Sequence, residues 1–269
     1  AIREINCVRK HLSAIKGGSL AEACFPAKLI TYAISDVPGD DSAVIASGPT
    51  VADPTTRQQA LAILNKYQIA TSDAVKQWLD MPESETPKTV CESAEFHIVA
   101  AAKQSLLAAA KQAEKQGLAA WALGDDLAGE SQLLAQSHAQ LVTNVLAQET
   151  PVNPPCVLLS GGETTVTVRG NGRGGRNTEY LLSLAAALKG QARVFALAAD
   201  TDGIDGSGDN AGAVLWPDSW QRAVRLGLNP EAMLENNDSY SFFEALGDLI
   251  ITGPTRTNVN DFRAILILE

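Results

Sequence analysis

The sequence predicts an α/β protein of two domains, in which largely parallel or mixed sheets are flanked by helices. Three observations lead to this class. Short apolar, β-branched runs alternate along the chain with stretches of helical periodicity. The 269 residues, 45% of them hydrophobic, provide enough core for two domains. The proline-rich segment TPVNPP at 150–155 is the best linker in the chain, so we expect domains over 1–150 and 151–269.

The first half opens on a helical pattern. Ile5, Val8, Leu12 and Ile15 share one face of a helix over 2–16, which the glycine pair at 17–18 ends. Apolar spacing, together with glycine and proline stops, indicates the later elements. We expect strands over 28–37, 96–100 and 119–123, and helices from 54, over 71–80, over 103–116 and over 130–148.

The second half continues the alternation of strands and helices. A β-branched alternation after the double glycine at 161–162 predicts a hairpin within 157–168. A helical pattern starts at Arg176 and runs to Leu188. The remaining elements are a strand over 194–199, helices over 217–226 and 239–246, and closing strands over 249–251 and 263–268.

Composition excludes several classes of function. The net charge is −10, and no cluster of lysine, arginine and aromatic residues indicates nucleic-acid binding. No apolar run is long enough to span a bilayer, and the four scattered cysteines are typical of reduced thiols in the cytoplasm. An acidic protein can bind anions where arginines, a helix N-terminus or a divalent cation set the local field. We therefore expect a small phosphorylated ligand with a metal ion.

The stretch from Cys156 to Glu179 is the strongest candidate for a site. Its order of strand, tight glycine turn, strand, glycine-rich loop and helix start suits phosphate, because glycine permits close backbone approach and the helix start adds positive charge. Arg173 and Arg176 add guanidinium groups that bind phosphoryl oxygens. The candidate cofactor-binding residues are Gly161, Gly162, Glu163, Gly172, Arg173, Gly174, Gly175 and Asn177.

Acidic residues follow two other strands. Asp202 and Asp205 lie in a loop that resembles a calcium site but places Ile204 and Ala211 at positions that need oxygen ligands. Magnesium needs only one or two carboxylates besides phosphate oxygens and water, so both aspartates are candidate metal ligands. The alternative is a solvated turn in which the aspartates hydrogen-bond their own backbone. Asp36 follows a strand in the first half and is a candidate to position a substrate hydroxyl.

The glycine loop also admits a different ligand. Gly170-x-Gly172-x-x-Gly175 matches the dinucleotide fingerprint, and Asp200 follows the next strand, where a ribose-binding acid could lie. The fingerprint normally comes directly after the first strand of its βαβ unit, whereas here a hairpin is expected before it. Nicotinamide binding is therefore an alternative to the phosphate cradle.

Four long segments of the chain together resemble one family. The segments are SDVPGDDSAVIASGPTVADPTT at 35–56, LLSGGETTVTVRGNGRGGRNTE at 158–179, DTDGIDGSGDNAGAV at 200–214 and ITGPTRTNVNDFRAILI at 251–267. The family they resemble is that of the ATP-dependent glycerate kinases that form glycerate 2-phosphate, which also carry the older name putative hydroxypyruvate reductase. The last three segments resemble the C-terminal MOFRL domain of that family. The likeness extends over nearly the whole chain.

The resemblance implies a two-domain α/β enzyme with its active site in the cleft between the domains. Residues 1–150 would be the remainder of the N-terminal, Rossmann-like glycerate kinase domain, and 151–269 the MOFRL domain. Arg176 matches the phosphate-stabilising arginine of the family, and Asp36 and Asp202 match acidic residues that face the cleft. The implied cofactors are ATP and Mg²⁺. The chain departs from the family pattern at Thr178, Arg256 and Asp200.

The largest departure lies at the front of the chain, where the family has a glycine-rich loop and a catalytic lysine that this sequence does not show. We therefore expect a truncated part of a D-glycerate 2-kinase, inactive alone, located in the cytoplasm. Its partners would be glycerate and a nucleotide, without nucleic acid or membrane, and a homodimer is the assembly to test. The alternatives are an NAD(P)H-dependent hydroxypyruvate reductase and a non-catalytic module that binds a nucleotide or a sugar acid.

Overall fold

A computed structural model describes residues 2–269. Two compact units make up the chain, Ala1–Val99 and Ala100–Glu269. The boundary therefore lies about fifty residues before the proline-rich segment at 150–155, where the sequence predicts a linker. The reason is that residues 100–150 pack with the second half of the chain: their strand pairs with the strand that follows the prolines, as described below.

Among the described residues, the first unit holds a two-stranded sheet and four helices, with 3₁₀ turns at Ile45–Ser47 and Pro82–Ser84. The first helix ends five residues earlier than expected, because the Ser13 hydroxyl accepts hydrogen bonds from the N–H groups of Ile15 and Lys16 in a turn. The elements are α1 (Ile2–His11), α2 (Ser19–Cys24), β1 (Leu29–Ser35), α3 (Arg57–Lys66), α4 (Asp73–Asp80) and β2 (Ala94–Ala101), the last crossing the unit boundary.

The second unit contains the remaining fourteen helices and strands. They are α5 (Ala102–Lys115), β3 (Ala119–Gly124), β4 (Gly129–Glu130), α6 (Ser131–Leu146), β5 (Cys156–Gly162), β6 (Thr164–Thr165), α7 (Arg176–Leu188), β7 (Val194–Asp200), β8 (Gly212–Leu215), α8 (Ser219–Arg225), α9 (Pro230–Glu235), α10 (Ser239–Leu246), β9 (Leu249–Ile250) and β10 (Asp261–Ile267).

Six of these strands form one mixed sheet in the order β3-β5-β10-β7-β8-β9. β3 and β5 run parallel, and the other neighbours pair antiparallel. The prediction of an α/β fold with a mixed sheet is confirmed. The predicted hairpin is wrong, because β5 already has β3 on one edge and β10 on the other, and a strand has only two edges. The short β6 pairs instead with β4, in parallel.

Helices cover both faces of this sheet. On one face α6 and α7 pack against buried side chains of β5, β7 and β10, with Leu181 and Ile265 at the centre. On the other face Leu106 of α5 contacts Val157 and Leu159. His138 lies in the first of these layers, where its Nδ1 is 2.7 Å from the hydroxyl of Tyr180. Within residues 2–269, no helix has both the length and the apolar surface that crossing a bilayer requires.

Candidate functional site

Three neighbouring strands bring their ends together at one edge of the six-stranded sheet. β5 and β7 end at this edge and β10 begins there, since β10 runs antiparallel to both of its neighbours. Asp261, the first residue of β10, lies opposite Gly162 on one side and Asp200 on the other. Glu163 follows Gly162 directly. Strand order alone therefore gathers three carboxylates at a single point.

Arg176, the first residue of α7, binds all three of these acids. Its Nε donates to both oxygens of Asp261, at 2.8 and 3.0 Å. Its Nη1 donates to Glu163 Oε1 at 2.9 Å, and its Nη2 to Asp200 Oδ2 at 2.6 Å. Burial on its own would lower the pKa of the guanidinium, but the charge and hydrogen bond of Asp261 outweigh it and raise that pKa. Arg176 is therefore a fixed positive charge.

The guanidinium retains capacity for a ligand. It carries five N–H groups, and the contacts above use one on each nitrogen, so one remains on Nη1 and one on Nη2. The side chain is 22% exposed, while Asp261 and Asp200 are buried and Glu163 is 57% exposed. The buried Asp261 and Asp200 thus hold Arg176 on its protein side. Glu163 is the exposed partner, which an incoming anion can replace.

A cavity of about 400 Å³ opens beside Arg176. Its wall combines the glycine loop with the start of α7, the segment around β6, and two buried polar side chains. The lining residues are Thr164, Thr165, Val166, Val168, Gly172, Gly174, Gly175, Arg176, Glu179, Gly206 and Asn237.

The glycines of the loop allow a close approach of backbone to backbone. A Cβ at Gly172 would lie 2.5 Å from Cβ of Asp238, and a Cβ at Gly174 or Gly175 would overlap Ser239 or Asp205. Their φ angles are not in the left-handed region, so steric contact, rather than backbone conformation, requires glycine here.

Most N–H groups of the loop bind protein acceptors. Gly172 donates to the carbonyl of Asn236 at 2.9 Å, and Arg173 to Oδ1 of Asp238 at 3.0 Å. Across the described residues 2–269, the N–H groups of Gly174 and Arg176 have no such acceptor. The loop therefore offers two backbone donors at the cavity, fewer than its glycine content indicates.

Two buried side chains hold the loop in place. Oε1 of Glu179 accepts hydrogen bonds from Gln132 at 2.7 Å and from Nδ2 of Asn237 at 3.0 Å. Oδ1 of Asn237 in turn accepts from the N–H groups of Arg169, at 2.7 Å, and Gly170, at 3.1 Å. Burial raises the pKa of the Glu179 carboxyl, and the bonds from Gln132 and Asn237 oppose that rise.

Asp205 anchors the first turn of α7. Its carboxylate is fully buried and accepts from the N–H groups of Asn177 and Thr178, each at 2.9 Å, and from the Thr178 hydroxyl at 2.8 Å. This is the capping interaction that a helix N-terminus favours. Burial raises the pKa of Asp205 above its ordinary value despite these donors. Thr178, a departure from the family pattern, is thus part of the helix anchor.

Asp202 lies at the rim of this region. Its Oδ1 accepts from the N–H of Ile204 at 2.8 Å, and its own N–H donates to Oδ1 of Asp200 at 3.1 Å. Among residues 2–269, no three His, Cys, Asp or Glu side chains are arranged as a ready metal cage. Asp36 belongs to the first unit, where it follows β1 with an exposed side chain. The metal role of Asp202 and Asp205 and the substrate role of Asp36 stay predictions.

Acids outnumber bases around Arg176. Glu163, Asp200, Asp205 and Asp261 face two guanidinium groups, those of Arg176 and Arg263. Burial raises the pKa of Asp200 to about 6, and the charges of Asp261 and Asp202 add to the rise, although Arg176 opposes it. A site with this excess of acid accepts an anionic ligand most readily with a cation or a proton.

Sequence reasoning finds Arg176 and its glycine loop but misses several groups that hold them. Asp200 is predicted only as an alternative ribose-binding acid and as a departure from the family pattern, and no role is predicted for Asp261, Glu179 or Asn237. A signal exists for Asp261, which directly precedes the alternating run FRAILI and so opens a strand at the same sheet edge as Asp200. The sequence carries no comparable signal for Asn237.

Comparison with known proteins identifies the family. The MOFRL family matches residues 156–261, and a domain of unknown function, DUF4147, matches residues 1–80. Two Agrobacterium vitis proteins named putative hydroxypyruvate reductase are 53% and 47% identical over 99% of this chain, which covers 61% and 69% of their lengths.

A solved structure is similar over the whole chain. The crystal structure of glycerate kinase from Thermotoga maritima matches 100% of this chain and 64% of its own, with a TM-score of 0.94 and 41% identity. The chain thus spans less than two thirds of the length of this protein and of the first relative above. It belongs to the family of the glycerate 2-kinases and putative hydroxypyruvate reductases, as its sequence motifs predict.

Proposed function

We propose that this chain is the phosphoryl-binding part of a glycerate 2-kinase, which transfers the γ-phosphoryl of ATP to the 2-hydroxyl of D-glycerate. The observation that carries the proposal is Arg176. It lies at the N-terminus of a 13-residue helix, is held by Asp261 and Asp200, and retains two N–H groups beside the cavity. The name of the similar Thermotoga maritima protein, glycerate kinase, supports this reaction.

The residues at the cavity fit a terminal phosphate. Two guanidinium N–H groups and the backbone N–H groups of Gly174 and Arg176 are unused donors at a positive helix end. A phosphoryl oxygen can also take the place of the exposed Glu163 on Nη1, because an exposed ion pair is worth little. Gly172 and Gly175 allow the close packing that shapes this wall, whereas Gly161 and Gly162, which do not line the cavity, pack closely on Asp125 and Leu127.

The residues also fit a divalent cation. The excess of carboxylates around Arg176 repels an anion unless a cation accompanies it. Mg²⁺ commonly binds through one or two carboxylates plus phosphate oxygens and water, so no cage of three acids is needed. Asp202, half-buried at the rim, is the first candidate ligand. Asp205 is the second, although its oxygens already accept four hydrogen bonds from α7.

The protein groups would act by position and charge. ATP with Mg²⁺ supplies the phosphoryl group and part of its charge neutralisation. Arg176 would bind the equatorial oxygens as negative charge spreads over them, and Asp261 and Asp200 fix its orientation before the substrate arrives. Asp36 would orient the 2-hydroxyl of glycerate and accept its proton. The four free cysteines are compatible with the reducing cytoplasm, where we place this activity.

The names of two relatives favour a second candidate, an NAD(P)H-dependent hydroxypyruvate reductase. Gly170-x-Gly172-x-x-Gly175 is the only supporting motif in the sequence. Its context differs from a dinucleotide site, because the element before the loop is the two-residue β6 and the N–H groups of Gly170 and Gly172 bind Asn237 and Asn236. We therefore favour the kinase.

The test compares both reactions in the same protein. The complete gene product that contains this chain is incubated with ATP, Mg²⁺ and D-glycerate, and ADP release is measured; ³¹P NMR identifies the phosphorylated hydroxyl. A parallel sample receives hydroxypyruvate with NADH or NADPH, and the nicotinamide absorbance is followed. Light scattering on the same sample gives the oligomeric state and tests the homodimer.

Release of ADP with formation of 2-phosphoglycerate would support the proposal. Oxidation of the nicotinamide without ADP release would replace it with the reductase. Binding of Mg·ADP in calorimetry without either turnover would identify a non-catalytic binding module.

A further inference from the structure

A second arginine, Arg263, binds the same carboxylate as Arg176 and is more deeply buried. Arg263 is the third residue of β10, two positions after Asp261, so both side chains project from the same face of the strand. Its Nη2 donates to Asp261 Oδ2 at 2.5 Å and to the hydroxyl of Thr164 at 3.2 Å. Its guanidinium lies over the ring of Tyr180, 5.5 Å from the centroid. The side chain is 1% exposed, so no ligand in the cavity reaches it directly.

Burial of this arginine is costly. Removing a guanidinium from water costs several kcal/mol, which an ion pair offsets only when its geometry is good and its other donors are satisfied. Within the described residues, Nε of Arg263 has no acceptor. A hydrophobic side chain could fill the same space between β10 and α7 without that loss. A buried arginine at position 263 is therefore a poor way to stabilise the core. The contact of Arg263 with Asp261 needs another explanation.

The explanation lies in how Asp261 divides its oxygens. Oδ1 accepts from Arg176 Nε at 2.8 Å and from Asn177 Nδ2 at 2.8 Å. Oδ2 accepts from Arg263 at 2.5 Å and, at 3.0 Å, from Arg176 Nε. Arg263 thus binds Oδ2 of the Asp261 carboxylate. Arg176 contacts the same carboxylate through Nε alone, and neither of its Nη atoms binds Asp261.

We propose that Arg263 is a positioning residue for Arg176 and acts through the carboxylate of Asp261. Its catalytic consequence rests on the glycerate kinase activity proposed above; its geometric consequence does not. Without Arg263, Oδ2 of Asp261 loses its shortest hydrogen bond and can accept an additional Nη N–H of Arg176. That contact would use one of the two N–H groups that remain on Nη1 and Nη2 of Arg176, which lines the cavity.

A kinetic experiment separates positioning from packing. Arg263→Met and Arg263→Lys are made in the complete gene product, alone and combined with Asp261→Asn. We expect Arg263→Met to lower kcat roughly 10- to 100-fold with little change in the KM for glycerate, as for other misplaced catalytic groups. Arg263→Lys should recover part of that loss, because its ammonium can still reach one oxygen of Asp261.

The combined variant is decisive. If Arg263 acts through Asp261, Arg263→Met causes no further loss of kcat once Asp261 is Asn, because the two residues form one pathway. Equal losses in both backgrounds would overturn the proposal. Arg222→Met is the matched control, since it breaks a 2.6 Å ion pair with Asp248 in the same unit, and it should change the melting temperature without changing kcat.

A second readout needs no activity. The Nε–Hε resonance of Arg176 is assigned in ¹H–¹⁵N spectra of the complete gene product by its loss in Arg176→Lys. We expect Arg263→Met to shift this resonance and speed its hydrogen exchange, Arg263→Lys to do so less, and Arg222→Met to leave it unchanged. A shift in a protein without kinase turnover would uphold the positioning and reject the kinase. If the protein is an active kinase and Arg263→Met changes neither the resonance nor kcat, the kinase is upheld and the positioning role is rejected. If Arg263→Met does not fold, Arg263→Lys is used for both measurements.

Discussion

The Nε of Arg176 lies 2.8 and 3.0 Å from the two carboxylate oxygens of Asp261, although the residues are 85 positions apart in the chain. One belongs to the first turn of α7 and the other to the first position of β10. The contact therefore joins the helix start, where an anion would bind, to the central strands of the sheet. The orientation of the Arg176 guanidinium therefore depends on how α7 packs against β10.

Asp261→Asn should weaken the second unit and the site together. The substitution removes the charge that faces two buried or half-buried guanidinium groups, and breaking a buried ion pair from one side costs about 3 kcal/mol. We expect a clear fall in the free energy of unfolding, measured by urea denaturation, and weaker binding of Mg·ADP in calorimetry.

Asp218→Asn is the control for that substitution. Asp218 is 66% exposed and pairs with Arg222 at 3.1 Å, a contact of the surface type that is worth about 0.5 kcal/mol or less. Its stability and nucleotide affinity should equal those of the parent protein. Equal stability of the two variants would show that the Asp261 ion pairs are not held in solution.

Arg176→Ala should abolish the proposed phosphoryl transfer. An arginine that stabilises the transferring group is worth ~10³-fold or more in turnover, and no other side chain of the cavity wall carries a positive charge. Arg176→Lys should recover little, because an ammonium cannot contact Asp261, Asp200 and a phosphoryl oxygen with fixed geometry. The measurement is ADP release by the complete gene product, with circular dichroism to verify folding. Near-normal turnover of folded Arg176→Ala would contradict the role.

The local parts of this site could be predicted from sequence, and the long-range parts could not. A glycine-rich loop followed by a helical pattern places Arg176 at a helix start, because both signals lie within a few neighbouring residues. The partners Asp200 and Asp261 depend on which strands are neighbours and in which register, and nothing local to either residue specifies that pairing. The error in the predicted hairpin has the same origin, since β5 pairs with strands distant in sequence.

The glycines show a second limit. Their abundance in the sequence indicates a phosphate cradle. In the folded chain, however, each of these glycines is also so close to a neighbouring segment that a Cβ would not fit. Gly172 packs on Asp238, and Gly174 packs on Ser239, a segment more than sixty residues away. A sequence motif therefore gives the position of the loop correctly, while the number of free N–H groups depends on acceptors such as Asn236 that the motif does not contain.

Gly174→Ala should destabilise the loop by steric overlap. The added Cβ would overlap the hydroxyl of Ser239, which is buried and lies 3.0 Å from the Thr178 hydroxyl. Overpacking of this kind costs about 2 kcal/mol. Adding Ser239→Ala should recover most of the loss, because the next side-chain atom, Cβ of Ser239, would lie at 3.5 Å. Urea denaturation of the two single variants and the double variant measures this coupling.

Gly162→Ala is the contrast for that cycle. Gly162 has a φ of 111°, and an added Cβ would overlap backbone atoms of Leu127, which no side-chain truncation can move. We expect this variant to lose more stability than Gly174→Ala, with no second substitution that restores it. If Ser239→Ala fails to recover Gly174→Ala, the close contact between the loop and α10 is absent in solution.

His138 should make the stability of the protein depend on pH. Burial, with a smaller effect of the Arg263 charge, lowers the pKa of the imidazole to about 4, whereas the unfolded chain has a value near 6.5. Between these values the unfolded state binds a proton that the folded state does not. The contribution of His138 is therefore complete above pH 6.5 and falls as the pH drops toward 4, by about 3 kcal/mol at most.

His138→Gln should remove this dependence, because a glutamine amide can accept the Tyr180 hydrogen bond without titrating. Asp200 acts in the opposite direction, since its pKa is raised to about 6 and its contribution falls as the pH rises from about 4 to about 6. The informative quantity is thus the difference in unfolding free energy between parent and variant, measured in urea from pH 4 to pH 7. That difference should grow with pH. If the unfolding free energies of the parent and of His138→Gln change in parallel from pH 4 to pH 7, His138 is not buried in its neutral form.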